Sequence, residues 1–126
     1  MQVRGTFQVE MIAEPAFDDV EGVTLSRARF DKRFEGALDA TSEVHMLAVR
    51  TPVEGSGSYV AVERISGSLE GRKGTFVVVH TGFMRAGLEL TIAHDSGTGE
   101  LKGIAGKMQV EVKDGQHFYE LDYRFE

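Results

Sequence analysis

Apolar residues along this chain recur at every second position and seldom at three and four, so the period is that of strands and not of helices. The stretch "VRGTFQVEM" sets Val3, Gly5, Phe7, Val9 and Met11 on one face against Arg4, Thr6, Gln8 and Glu10 on the other. "GLELTIAH" alternates Leu88, Leu90 and Ile92 with Glu89 and Thr91, and "HFYELDYRFE" alternates Tyr119, Leu121, Tyr123 and Phe125 with Glu120, Asp122 and Arg124. Each reads as a strand with one buried and one wet face. Turn signals punctuate the pattern: "EGV" at 21–23, "EGA" at 35–37, "EGSGS" at 54–58, "EGRKG" at 70–74, "RAG" at 85–87, "DSGTG" at 95–99 and "KDGQ" at 113–116. The strands predicted between them cover 2–12, 24–35, 38–51, 58–69, 74–83, 86–94, 99–112 and 116–126.

Strands joined in this way by short links predict an all-β fold, a single closed eight-stranded antiparallel meander barrel over residues 1–126. Closure removes exposed strand edges, and about eight strands is the number at which side chains fill the interior or leave room for one small ligand. The alternation fails only in "AEPAFDDVEG", residues 13–22, where Pro15 and an acidic run predict a loop with room for one helical turn. No linker or repeat divides the chain, so one domain is expected.

Composition changes this picture mainly by exclusion. With no cysteine, the chain has no disulfides, thiolate metal sites or cysteine nucleophiles. Twenty acidic against fourteen basic residues give a formal charge of -6, which repels phosphate backbones. The densest basic stretch, "RARFDKRF" at 27–34, is interrupted by Asp31 and followed by Glu35, so it reads as a solvated strand face and no nucleic-acid partner is expected. "MQVRGTFQVEMIAEPAF" holds no apolar run long enough for a signal peptide or a membrane span, which predicts a soluble, cytoplasmic protein without a membrane partner. The four histidines lack metal-ligand spacing, and no serine sits in a G-x-S-x-G elbow, so neither a metal, a cofactor nor covalent catalysis is expected.

Candidate chemistry comes from polar side chains that the alternation turns inward, because burial there needs a partner. Glu63 shares a face with Tyr59, Ala61, Ile65 and Leu69; Lys32 shares one with Ala28, Phe30 and Phe34; His80 shares one with Phe76 and Val78. This predicts Glu63 inside the barrel within hydrogen-bonding reach of His80 or Lys32, with a desolvated carboxylate of raised pKa. Glu63 and His80 are then the candidate catalytic acid and base, while Lys32, Tyr59, Phe76, Tyr119 and Tyr123 are candidate ligand contacts. The competing expectation is a buried pair that only fixes strand register. His117 precedes Tyr119 on the same face, His94 is expected at one mouth of the barrel, and the facing of His45 is undetermined because both faces of "EVHMLAV" are apolar.

Two short matches fail on context. Asp95-Ser96-Gly97 has the tripeptide of retroviral-type aspartic proteases, but the chain after it is too short to supply a flap and the rest of a substrate cleft. "GTGELKG" resembles a dinucleotide-binding glycine loop, yet a strand and not a helix is predicted to follow. The stretch is instead expected to reverse the chain, with positive φ at Gly97 and Gly99 and with Asp95 and Ser96 bonding local backbone amides.

With strands and glycines placed, "ERISGSLEGRKGTFVVVHTG", "DSGTGELKGIAG" and "HFYELDY" resemble the bacterial domain-of-unknown-function family 3224, and the likeness extends over nearly the whole chain. The resemblance implies a fold similar to the eight-stranded allene-oxide-cyclase barrel and implies no activity. Two functional readings stay open. One is a barrel binding a small, largely apolar molecule, with isomerase or cyclase chemistry as its extension. The other is a homo-oligomeric interaction protein, joined through an outer apolar patch of Val60, Val62, Val77 and Val79.

Overall fold

A computed structural model describes residues 1–126 and turns the alternation into nine strands. They are β1 (Gln2–Ala13), β2 (Asp18–Val20), β3 (Val23–Gly36), β4 (Leu38–Arg50), β5 (Gly57–Leu69), β6 (Arg72–Phe83), β7 (Gly87–Ile92), β8 (Ile104–Lys113) and β9 (Gln116–Phe125). From β3 to β9 each strand pairs antiparallel with the next, and β1 pairs with both β9 and β3, which closes an eight-stranded meander barrel. The two-residue turns Glu70-Gly71 and Asp114-Gly115 have positive φ at both positions, the geometry whose twist matches that of the flanking strands.

The ninth strand corrects the loop expected at 13–22. β1 leaves β3 at the pair Ala13–Ala28, while β3 continues back to Val23 with unpaired backbone groups. Those groups recruit the chain: Phe17 N–H donates to Leu25 O at 2.9 Å, and Asp18, Asp19 and Val20 pair with Leu25, Thr24 and Val23. The rim of the barrel is thus an extended ribbon and holds no helical turn.

The second correction lies at 93–103, between strands predicted to end at 94 and to resume at 99. β7 stops at Ile92, and a single 3-10 turn, Gly99–Leu101, precedes β8. The intervening segment serves the edge of β6 largely with side chains in place of backbone. Ser96 Oγ accepts from Val77 N–H at 3.0 Å, Thr98 Oγ1 from Thr75 N–H at 3.0 Å, and Glu100 Oε1 from Lys73 N–H at 3.1 Å. Ser96 therefore bonds a distant strand and not local amides. The left-handed residues are Asp95 (φ 62°) and Gly99 (φ 61°); Gly97 is needed for a different reason, since a Cβ there would lie 2.0 Å from Leu101 O. The turn drives Leu101 into the barrel end, where it is fully buried.

Inward side chains of β3 to β6 stack in cross-strand rows, and their size falls along the barrel. At the plugged end, Phe34 neighbours Ala40, and the next row is Lys32, Ser42, Ile65 and Phe76. Then come Phe30, Val44, Glu63 and Val78, followed by Ala28, Met46, Ala61 and His80, and at the far end Ser26, Ala48, Tyr59 and Gly82. Phe34, Ile65, Phe76 and Val78 are fully buried in the core. The alanines and Gly82 of the last two rows cannot fill the same cross-section. The barrel is consequently packed at one end and hollow at the other, with an open cavity of about 780 Å³.

Candidate functional site

At the boundary between the packed and hollow halves lies a buried polar cluster. Glu63 on β5 has no solvent exposure. One of its oxygens meets His80 Nε2 of β6 at 2.7 Å and Lys32 Nζ of β3 at 3.4 Å; the other accepts from Ser42 Oγ of β4 at 2.5 Å. Four adjacent strands thus converge on one carboxylate, as the inward parity of Glu63, His80 and Lys32 predicted. Ser42 was missed, although it shares parity with Leu38, Ala40 and Val44 on β4 and the same alternation identifies it. Lys32 also places its ammonium over the rings of Phe7 (5.0 Å) and Phe34 (5.8 Å), which favour a cation.

The expected rise in the Glu63 pKa is overturned. Burial does push the carboxyl up, but the hydrogen bond from His80, the Lys32 charge and the hydrogen bond from Ser42 outweigh it, and the group is held below the ordinary carboxylate value. Glu63 is therefore an ionised carboxylate and not a poised acid. With the carboxylate as acceptor, His80 Nε2 is the protonated nitrogen, and Nδ1 is left without a protein partner.

The other candidates divide between the two halves. Tyr59 lines the cavity, its ring seated on Gly82, where a Cβ would lie 2.3 Å from the ring edge, and 6.4 Å from the ring of His80. Burial, with the Glu63 charge second, raises the Tyr59 pKa, so its hydroxyl stays protonated. Phe76, Tyr119 and Tyr123 instead belong to the packed half. The Tyr119 hydroxyl accepts from Leu38 N–H at 3.0 Å and donates to Glu35 O at 3.1 Å, tying β9 to the β3–β4 turn. The Tyr123 hydroxyl bonds the Glu70 carboxylate, and burial together with that partner pushes its pKa to about 12. His45 faces outward beside Glu43, and His94 is exposed after β7, near the plugged end. No helix is long and apolar enough to cross a membrane.

The sequence matches the family model described as protein of unknown function (DUF3224) over residues 3–123. The chain belongs to the DUF3224 family. A crystal structure of a protein with unknown function from the same family, from Shewanella oneidensis MR-1, is similar to it throughout: 44% identical, covering 100% of this chain and 98% of that chain, with a TM-score of 0.95. Among curated proteins none matches the chain.

What the DUF3224 barrel presents to its cavity is apolar over most of its area, with polar side chains that include Glu14, Arg27, Arg50 and Ser58. Ser26, Ala48, Tyr59, Gly82 and Leu88 form one lining row, and Ala28 and Met46 continue it one step deeper, level with Ala61 and His80. Below them the Lys32–Glu63 pair is closed off and internally neutralised, so the cavity floor carries no uncompensated buried charge.

Proposed function

We propose that the DUF3224 barrel binds a small, largely apolar molecule in its open half. The observation that supports this is the 780 Å³ cavity, produced by alanines and a glycine where the other half of the barrel carries phenylalanine and leucine. A cavity of that size and lining suits a drug-sized ligand oriented by a few polar groups. Arg27 and Arg50 at the rim and Tyr59 farther in supply such groups. The proposal keeps the cytoplasmic location expected from the sequence, and isomerase or cyclase chemistry, which needs no second substrate, is its natural extension. Native mass spectrometry of freshly purified protein is expected to show a bound small molecule, or uptake of one from a lipid and metabolite panel. A barrel that arrives empty and takes nothing from the panel would overturn the reading.

A second reading rests on the outside of the barrel. Val60 and Val62 on β5 and Val79 on β6 stay 51%, 51% and 39% exposed, and Leu47 and Phe83 extend the same face. Val77, expected in this patch, is half-buried. Such a face suits contact with a second copy of the chain. In this reading Val62→Lys shifts the particle from oligomer to monomer in light scattering without loss of folding, and a wild-type monomer at all concentrations rules it out.

A further inference from the structure

Two neighbouring ring side chains at the inner end of the open half each carry a polar atom with no partner in the chain. His80 Nδ1 is free because Nε2 is committed to Glu63, and the Tyr59 hydroxyl, on a side chain lining the cavity, makes no hydrogen bond. Their rings are 6.4 Å apart on neighbouring strands, and both lie on rows that contribute to the cavity wall. His80 is 5% exposed and lies one row deeper than Tyr59, so an unpaired acceptor and an unpaired donor sit close together at the inner end of the cavity, where a ligand with a complementary pair fits.

We infer that the cavity takes an apolar carbonyl compound and moves a proton on it, with His80 Nδ1 as the base and the Tyr59 hydroxyl as hydrogen-bond donor to the carbonyl oxygen. This rests on the binding reading above and assigns it a substrate class and a reaction. The step balances within the ligand and the two side chains. The C–H bond next to the carbonyl breaks, its proton forms an N–H bond at Nδ1, and the electron pair becomes the carbon–carbon double bond of an enolate whose oxygen charge Tyr59 stabilises. In simple exchange the imidazolium N–H trades its proton with solvent before a proton returns to the same carbon, and in isomerisation the proton is delivered to the far end of a conjugated system. No cofactor or second reactant enters.

Glu63 is sealed from the cavity and is a positioning residue. It fixes the tautomer that leaves Nδ1 free, and its charge stabilises the imidazolium formed in the step. Lys32 and Ser42 keep that carboxylate ionised when no proton has been transferred.

The test uses 4-phenyl-2-butanone with the full-length protein in D2O. Saturation-transfer NMR reports binding, and loss of the proton signals beside the carbonyl reports exchange. Exchange should exceed the buffer rate by about a hundredfold, the ordinary contribution of a positioned base. His80→Gln should abolish the excess and Tyr59→Phe should reduce it, with saturation transfer retained in both. Glu63→Gln should lower exchange and also change the 15N shifts of His80 from a single tautomer to a mixture, a signature that a purely structural role would not produce. Saturation transfer without excess exchange overturns the proton-transfer inference and leaves the binding reading intact. No saturation transfer overturns the carbonyl class, while the native mass spectrum separately decides whether the cavity binds anything. Excess exchange that survives in both folded His80→Gln and Tyr59→Phe removes the two residues from the role.

Discussion

A carboxylate with no solvent contact persists only if neighbouring groups replace the water it has lost. At Glu63 those groups are an imidazole N–H, an ammonium and a hydroxyl, each from a different strand. Removing the charge leaves Lys32 with aromatic faces alone, so Glu63→Gln should destabilise the fold by about 3 kcal/mol, the scale for breaking a buried pair, as read from urea midpoints. The pH dependence carries the sign. Because the folded pKa lies below the ordinary carboxyl value of 4.5, the stabilisation is present in full well above that value and is lost as pH falls through it toward the folded value. Wild-type stability should fall more steeply than that of Glu63→Gln over the acid range, from about pH 6 downward. Parallel slopes would show that the cluster does not hold Glu63 ionised. The inward facing of Glu63 was legible because Ala61 and Ile65 share its parity. The direction of its pKa was not, because it depends on the sum of three partners on three other strands set against desolvation.

At the scale of elements, the segment after β7 meets β6 through alternate side chains that supplement two backbone bonds, Ala93 N–H to Val77 O and Thr98 N–H to Thr75 O. Ser96, Thr98 and Glu100 meet Val77, Thr75 and Lys73, two residues apart on both partners. This explains why the strand predicted to resume at 99 begins only at Ile104: the alternation just before it belongs largely to hydrogen-bonding side chains that meet β6. The error at 13–22 has the opposite cause. Pro15 and the acidic run hid a pairing imposed by the open edge of β3, which no local pattern contains. The side-chain ladder can be tested one rung at a time. Ser96→Ala leaves the half-buried Val77 N–H without an acceptor, which should cost about 1–2 kcal/mol and speed its amide exchange by roughly tenfold or more. Thr98→Ala frees the Thr75 N–H at an exposed position, where water can replace the hydroxyl, so its effect should be several-fold smaller. Equal effects would mean that the segment is held by its glycines and Leu101 and not by these bonds.

For the whole molecule, closure was legible from strand number, and the division into a filled and a hollow half was not. Ala28, Ala48, Ala61 and Gly82 are plain in the sequence, but their adjacency depends on the register of four strands, which parity alone does not give. The packed rows stabilise the barrel, and the hollow rows leave apolar wall in contact with solvent or ligand, so stability and ligand capacity should trade against each other there. Ala48→Phe places a ring at the row of Tyr59 and Gly82, facing the 780 Å³ space. Burying much of a phenyl group against that wall should add about 1 kcal/mol and raise the melting temperature by roughly 4 °C. The same ring should displace the molecule detected by native mass spectrometry. A lower melting temperature would show that this row is already packed against its neighbours. A higher one with the ligand still bound would place the ligand elsewhere, and the small residues of the open half would then need another explanation.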